Sequence, residues 1–353
     1  MKYVQLSLFP IEGNKLQSDD SIEDERKLTE ENTEEIQIRS EKILSEMDIM
    51  ELPFLGCDFD VVYPQIKQLI PKEKVQFDKW ELPKMIMAEI VCAGICHQMN
   101  WDFLRNAIYE KMKMNPEWIS PNNLLKIEPE EISLMFAKYD RQERVRPSER
   151  AFMLNCLAKW AVGFDSIENV FLDDEREILP ENDIREKLLK CEVFSSDSEE
   201  KKLQLLLQKL SMYHILDKLS EYCHPAIDYH LIRMYYRRGL IYGKTKYARE
   251  YLRNPLPERK EETVASVRHL CKELMDSICD YTELSVSDIN QIDWHIGRSV
   301  CLQEHPDCKL ETGEAEWLKS QFHLCPYYNT CSMRMNNYDY SKMKEPNYGG
   351  TSY

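Results

Sequence analysis

The sequence lacks the long apolar stretch that a membrane-spanning helix requires. No run approaches the roughly 18 consecutive apolar residues needed to cross a bilayer. The N-terminus also lacks the basic start and apolar core of a signal peptide. We therefore expect a soluble, cytoplasmic protein with no membrane partner.

Glycine and strand patterns are scarce as well. The chain has only 10 glycines among 353 residues, and alternation of apolar and polar residues never persists beyond a few positions. Apolar residues recur instead at helical spacing, which predicts an all-α fold. Helices are expected at 82–97, 101–114, 121–139, 147–163, 182–191, 198–220, 229–238, 261–280 and 286–300.

Disulfides are not expected to account for the 12 cysteines. An intracellular chain lies in a reducing compartment, which works against a disulfide framework. Cys92 and Cys156 lie inside apolar helical segments and are typical of buried packing residues. Other cysteines are candidates for metal ligands.

The net charge of −16 is the opposite of what a nucleic-acid-binding protein usually carries. The acidity is local, because residues 11–60 hold 16 acidic and 5 basic residues. Residues 228–260 hold 9 basic and 3 acidic residues, so a basic surface remains available. Residues 11–48 are acidic with almost no aromatics and are predicted to form a disordered tail.

Residues 1–10 form a short apolar segment ahead of this tail. The string Gln-Leu-Ser-Leu-Phe resembles the short peptide by which bacterial repair and replication proteins dock on the sliding clamp. Its contact residues would be Gln5, Leu6, Leu8 and Phe9. The alternative is that these residues pack on the protein's own surface.

Four cysteines near the C-terminus are spaced in two pairs. Cys301 and Cys308 are separated by six residues, Cys325 and Cys331 by five, and sixteen residues lie between the pairs. Iron–sulfur clusters are held by four such thiolates. The alternatives are four unrelated cysteines or a zinc site, although zinc sites usually pair cysteines about two to four residues apart.

The sequence around these cysteines resembles the cluster loop of the helix-hairpin-helix DNA glycosylases, the family of endonuclease III and the adenine glycosylases. The family's spacing is Cys-x6-Cys-x2-Cys-x5-Cys. The outer spacings match, as do the Gly297-Arg298 pair before the first cysteine and the Cys325-Pro326 opening of the second pair. The resemblance implies a structural [4Fe-4S] cluster. The departure is an insertion, residues 309–324, where the family has two residues.

A second resemblance lies upstream. The segment His-Pro-Ala-Ile-Asp-Tyr-His-Leu-Ile-Arg-Met, residues 224–234, is similar to the Val-Asp-Thr-His-x-x-Arg segment that carries the family's catalytic aspartate. The resemblance implies that Asp228 stabilises the positive charge that develops on the sugar when an N-glycosidic bond breaks. Taken alone, an aspartate before a helical run is more typical of an N-cap, a role compatible with catalysis.

Two further sets of residues are candidates for contact with nucleic acid. Arg233, Arg237 and Arg238, on the helix after Asp228, are predicted to contact phosphates, with a solvated basic face as the alternative. The segment at 88–98 resembles the family's early helix, which ends in a glutamine that inserts into the duplex. Gln98 is the candidate for that role, with DNA as the expected partner.

The glycine-rich hairpin of the family is absent from this chain. The corresponding stretch, residues 191–202, contains no glycine, so close approach of the backbone to a phosphate is less easy. Lys201 or Lys202 would occupy the position of the lysine that this family uses for lyase activity. Lyase activity is not expected, because a reactive lysine needs a desolvated site and Glu199-Glu200 suggests an exposed one.

These features predict a two-lobed, helix-hairpin-helix glycosylase-like fold. Residues 101–227 would form the central lobe with the degenerate hairpin, residues 49–100 and 228–335 the cluster-containing lobe, and residues 336–353 a C-terminal tail. The expected function is a monofunctional DNA glycosylase that releases a modified or damaged base, a class that includes foreign modified bases. The alternatives are a glycosylase for a modified nucleoside, nucleotide or RNA, and a non-catalytic iron–sulfur DNA-binding repair module.

Overall fold

The computed structural model describes four stretches of the chain, residues 47–49, 59–71, 80–244 and 261–336. Within them the protein is mostly helical, which confirms the all-α prediction at that level. Two short strands, β1 (Met47–Ile49) and β2 (Ile241–Gly243), pair antiparallel. None of the described helices combines the length and apolar character of a transmembrane helix.

The described α-helices are α1 (Phe59–Leu69), α2 (Leu82–Gly94), α3 (Trp101–Met114), α4 (Pro121–Leu124), α5 (Pro129–Met135), α6 (Pro147–Ala161), α7 (Glu181–Leu189), α8 (Glu192–Ser195), α9 (Lys201–Met212), α10 (Tyr229–Arg238), α11 (Glu261–Thr282), α12 (Val286–Ser299) and α13 (Ser332–Met335). Short 3-10 helices lie at Pro116–Ile119, Gln142–Arg144, Ile167–Val170, Asp217–Tyr222 and Gly313–Leu318. All the predicted helical segments are therefore present in some form.

Two predicted helices are shorter than expected, for local reasons. The segment at 121–139 is two helices, because Pro129 cannot donate a backbone hydrogen bond and starts α5. The helix predicted at 198–220 ends at Met212, and His214 then takes a left-handed φ of 56°. The other predicted helices differ from the observed bounds by at most three residues at either end.

The helices bury two separate hydrophobic cores. The first is formed by α2 to α9, and the second by α1, α10, α11, α12 and the segments around the four C-terminal cysteines. Trp294 of α12 packs against both cores. Helix α2, expected in the cluster-containing lobe, lies in the first core instead, because Ile86, Ile90 and Val91 are fully buried there.

A buried ion pair joins the two cores. Asp197, in the turn between α8 and α9, accepts two hydrogen bonds from Arg268 of α11, at 2.7 and 2.8 Å. Both side chains are buried. Lys272, one turn along α11, donates to the carbonyl of Glu199 at 2.9 Å. These contacts fix the first core against α11.

Candidate active site and cysteine site

The insertion between the two cysteine pairs closes on itself. The N–H of Cys325 donates to the carbonyl of Cys308 at 2.9 Å, so the insertion begins and ends at one place. Asp307 caps its start by accepting from the N–H groups of Glu311 and Thr312 at 2.7 and 2.8 Å. The two half-motifs therefore adjoin, although sixteen residues separate them in sequence.

The insertion packs into the second core rather than extending into solvent. Leu310, Ala315 and Leu318 are buried there, and Trp317 donates to the Ser299 hydroxyl at 3.1 Å. The insertion contains one short helical segment, the 3-10 helix Gly313–Leu318. The insertion is thus a structural element that covers the end of α12.

The four cysteines line one small cavity. Cys301, Cys308, Cys325 and Cys331 all line it, and none of the four forms a disulfide bond. Burial, together with the neighbouring cysteines, raises the pKa of the Cys325 thiol. In the described part of the chain, no three His, Cys, Asp or Glu side chains are grouped as ligands of a metal ion. Four thiols around one space are the donor set that an iron–sulfur cluster uses.

Arg237 and Arg238 enclose this cavity and are buried, so the predicted phosphate contacts of these two residues are wrong. Arg237 lies 3.6 Å from the sulfur of Cys301 and donates to the carbonyl of Leu302 at 2.5 Å. Arg238 lies 3.5 Å above the ring of Tyr327. Their helix turns both guanidinium groups inward, against the cysteine loop.

A fully buried carboxylate that the sequence did not reveal lies beside Arg238. Asp293 accepts hydrogen bonds from the hydroxyls of Tyr63 at 2.9 Å and Tyr235 at 2.7 Å. Burial raises the pKa of Asp293, and Arg238 opposes that shift. This network ties α1, α10 and α12 together behind the cysteines.

Asp228 is both an N-cap and a cavity residue. Its Oδ1 accepts from the N–H groups of His230 at 2.8 Å and Leu231 at 3.2 Å, which confirms the capping role. Burial raises the pKa of Asp228, and the positive charge of Lys201 opposes the shift. Oδ2 accepts no hydrogen bond from the described residues. The cap therefore fixes the carboxylate and leaves one oxygen available.

A cavity of about 840 Å³ lies between the two cores and brings four predicted residues together. Gln98, Asp228, Arg233 and Lys201 all line it. Gln98 follows α2 and has a left-handed φ of 54°, an uncommon conformation for a non-glycine residue that often accompanies function. Residues far apart in sequence thus share one site.

Arg233 joins the large cavity to the cysteine loop. It donates to the carbonyls of Cys301 at 2.7 Å and Gly297 at 2.8 Å, and it lies 2.8 Å from Nδ1 of His230. It is buried, so its predicted role in phosphate binding is replaced by a bridging one. A Cβ atom on Gly297 would lie 2.9 Å from the carbonyl oxygen of His230, which explains the glycine at this close approach of α10 and α12.

The turn before α9 satisfies two of its own backbone amides. Asp197 accepts from the N–H groups of Glu199 at 3.1 Å and Lys201 at 2.9 Å, in addition to its pair with Arg268. Lys201 lines the large cavity, whereas Lys202 is buried beside the sulfur of Met153 at 3.9 Å. The prediction of an exposed lysine pair is therefore wrong for Lys202.

The large cavity is basic and aromatic, a property that sequence reasoning missed. Seven lysine or arginine side chains and four carboxylates line it. Lys138, Arg141 and Arg144 come from the loop between α5 and α6, and Lys138 and Arg141 are exposed without an ion-pair partner among the described residues. We call these three residues the basic rim. The aromatic lining residues are Trp101, Phe103, Tyr139, Tyr229 and Trp294.

Several predictions concern residues outside the described part of the chain. The proposed clamp-docking residues Gln5, Leu6, Leu8 and Phe9 lie there, as do positions 11–46 of the acidic tail and positions 337–353. Residues 47 and 48 of the predicted tail belong instead to β1. The docking peptide stays a prediction.

No protein-family model and no curated protein matches the chain. The candidate site is therefore characterised by its own geometry. Two features define that geometry, the large basic cavity at Asp228 and the small cavity at the four cysteines.

Proposed function

We propose that this protein is a monofunctional, helix-hairpin-helix-like DNA glycosylase that hydrolyses the N-glycosidic bond of a modified or damaged base. The observation that carries the proposal is the convergence of Gln98, Asp228 and Lys201 on one cavity, with Arg233 linking that cavity to the cysteine loop. These residues are far apart in sequence, and forming the local helices does not require them to meet. Their convergence therefore supports a function that they share.

Asp228 is the proposed catalytic residue. Departure of the base leaves positive charge on the sugar, and a fixed carboxylate stabilises that charge or activates the attacking water. The cap holds Oδ1 against the start of α10, so Oδ2 is the oxygen that faces the reaction. The helix start and the carboxylate are thereby positioned as one unit.

The remaining walls suit a nucleobase attached to a phosphate backbone. A base inside a duplex must leave the stack before its glycosidic bond can be reached, and a flipped base is commonly held between aromatic side chains. Trp101, Tyr139 and Trp294 line the cavity and are the candidates for that contact. Gln98, whose backbone is fixed in the left-handed region, would fill the gap left in the duplex.

The basic rim would hold the phosphates in this proposal. Lys138 and Arg141 are exposed at the cavity, whereas Arg237 and Arg238 are buried against the cysteine loop. Lysine and arginine contacts to phosphates supply most of the sequence-independent affinity for DNA. A chain with a net charge of −16 can therefore still attract DNA at one place.

The four cysteines would hold a [4Fe-4S] cluster. When bound, the cluster supplies a rigid cross-link between the segments that carry its ligands. Arg237 would place a guanidinium N–H beside Cys301, and Arg233 would carry the position of that loop to the cavity of Asp228. The zinc alternative differs in metal content and colour, so it is open to direct test.

One observation favours the alternative of a free nucleoside, nucleotide or RNA substrate. The amides of the turn before α9 are occupied by Asp197, so this turn offers them to no phosphate of a duplex. The two substrate classes separate when the protein is incubated with modified duplexes, modified RNA and free nucleosides in parallel. Base release from duplexes supports the first proposal, and release from nucleosides alone supports the second.

The third possibility is a non-catalytic DNA-binding module. In that case DNA binds, no base is released from any substrate, and Asp228→Asn leaves the phenotype unchanged.

Recruitment to a bacterial sliding clamp is a separate proposal. Deletion of residues 1–10 should abolish co-migration with the clamp, and unchanged binding would reject the docking peptide.

A further inference from the structure

Arg150 lies at the start of α6, is fully buried, and donates hydrogen bonds to four backbone carbonyls. Its Nε reaches the carbonyl of Ile95 at 3.2 Å, and its Nη2 reaches that of His97 at 2.6 Å. Its Nη1 donates to the backbone carbonyl of Arg144 at 2.9 Å and also to that of Val145. One side chain thus binds two separate loops.

Each of these loops forms a wall of the large cavity. Ile95 and His97 precede Gln98, whose left-handed φ of 54° must be held by its surroundings. Arg144 is a member of the basic rim, and Val145 follows it. The two loops are about fifty residues apart in sequence, and Arg150 connects them.

We propose that Arg150 is a positioning residue that holds the Gln98 wall and the basic rim in register across the cavity. The inference rests on the proposed function, because it assigns the rim to phosphate binding. It goes beyond that function by naming a residue that touches no substrate and still determines how the site engages DNA.

The identity of the residue suits this role. A guanidinium has five N–H donors in a rigid plane, so it can bind carbonyls on two sides at once, whereas an ammonium is a single point. Burial lowers the pKa of Arg150 to about 10, so the side chain stays charged at neutral pH. Phe136 lies beneath it, with the ring centre 6.0 Å from the guanidinium carbon.

The first test measures how DNA affinity depends on salt. Arg150→Met leaves all three charges of the basic rim in the sequence. We nevertheless expect the dissociation constant for DNA to rise about tenfold. The slope of log affinity against log salt should fall by about 1.8, the value for two lost phosphate contacts. Arg150→Lys should recover part of both. Arg141→Gln should add little to Arg150→Met in a double-mutant cycle, because the contact that Arg141 makes is one of the two that Arg150→Met already removes.

The control is Arg105→Met. Arg105 is another buried arginine of the first core, paired with Glu89 at 3.3 Å, and it does not line the cavity. A general loss of stability would affect both variants alike and would leave the salt slope of the folded protein unchanged. An unchanged slope in Arg150→Met, or fully additive losses with Arg141→Gln, would overturn the proposal.

A second measurement is independent of base release. Amide hydrogen exchange at residues 95–98 and 142–146 should accelerate at least about tenfold in Arg150→Lys relative to the wild type, with little change in α11. Arg105→Lys should not accelerate these amides. Acceleration in both loops without base release from any substrate would keep the positioning role and reject the glycosylase. Uniform acceleration over the whole first core would reject the positioning role. If Arg150→Met does not fold, the lysine variant decides both tests.

Discussion

The backbone N–H of Cys325 donates to the carbonyl of Cys308 at 2.9 Å, although sixteen residues separate the two cysteines. This hydrogen bond makes the second pair of cysteines continue spatially from the first. We therefore expect that the insertion can change without moving the four cysteines, and its removal tests that expectation.

Replacing residues 309–324 with two glycines should keep the cysteine site and destabilise the fold. Cys308 and Cys325 are already adjacent, so a short link can join them. The second core would lose Leu310, Ala315 and Leu318, and each buried leucine removed costs on the order of 2–5 kcal/mol. Iron per chain should be unchanged and the unfolding midpoint lower. A folded deletion variant without iron would contradict the account.

Anaerobic purification should give a brown protein with about four iron atoms and four acid-labile sulfides per chain, as four thiolates around one cavity predict. Cys325→Ala should lose this iron. Cys156→Ala is the matched control, because Cys156 is half-buried in α6 and lies outside the cysteine cavity. A colourless wild-type protein with one zinc would overturn the cluster assignment.

Exposed and buried arginines should affect DNA binding differently. Arg141→Gln should lower the salt slope of DNA affinity by about 0.9, the contribution of one phosphate contact. Arg238→Gln should leave the slope unchanged and lower the free energy of unfolding, because buried Asp293 would lose its cation. Fluorescence anisotropy at several salt concentrations measures the first effect, and denaturant titration measures the second. A normal slope in Arg141→Gln would remove the basic rim from the interface.

Stability should rise in alkaline solution on account of Lys202. Burial lowers the pKa of Lys202 to about 8, against 10.5 for the unperturbed side chain. The unfolded chain therefore binds this proton more tightly, so the contribution favours folding increasingly between about pH 8 and pH 10.5. Lys202→Met should flatten the rise, and Lys201→Met, on the same helix, should not. Parallel pH profiles for Lys202→Met and the wild type would contradict the buried placement.

The pH dependence of base release should report Asp228. The proposed catalytic role needs the carboxylate in its ionised form, and burial raises the pKa of Asp228 above the usual 3.8. The single-turnover rate should therefore fall on the acid side with a midpoint above about 3.8. For stability the sign is the reverse, because the folded state binds this proton more tightly and is disfavoured as pH rises through that midpoint. Asp228→Asn should remove this decline while keeping the cap, since asparagine caps as well as aspartate.

Local signals predicted most of the described helices. Helical spacing located the helices, and the break at Pro129 follows from the missing N–H of proline. The N-cap at Asp228 follows from residue type and position. Local signals did not show that α2 packs in the first core, although the sequence had placed it with the cluster-containing lobe. Its 13 residues are nearly all apolar, so the pattern does not indicate which partner they face.

The candidate site was predictable only where a motif carried it. The candidate roles of Asp228, Gln98 and the four cysteines came from motif resemblance, and these residues line two separate cavities. Arg237 and Arg238 were misjudged, because a basic run on a helix does not reveal which way the side chains turn. The basic rim was missed since acids alternate with bases from Lys138 to Arg146, and only the folded loop separates them.

Base release by wild type and Asp228→Asn under single-turnover conditions, on duplexes that each carry one modified base, tests the proposed glycosylase most directly. We expect the wild type to release free base from at least one duplex. Asp228→Asn should bind the same duplex but release base at least about a thousandfold more slowly, with Asp183→Asn, an exposed control on α7, unchanged. Equal release by wild type and Asp228→Asn would contradict the proposal, as would tight binding without release from any duplex.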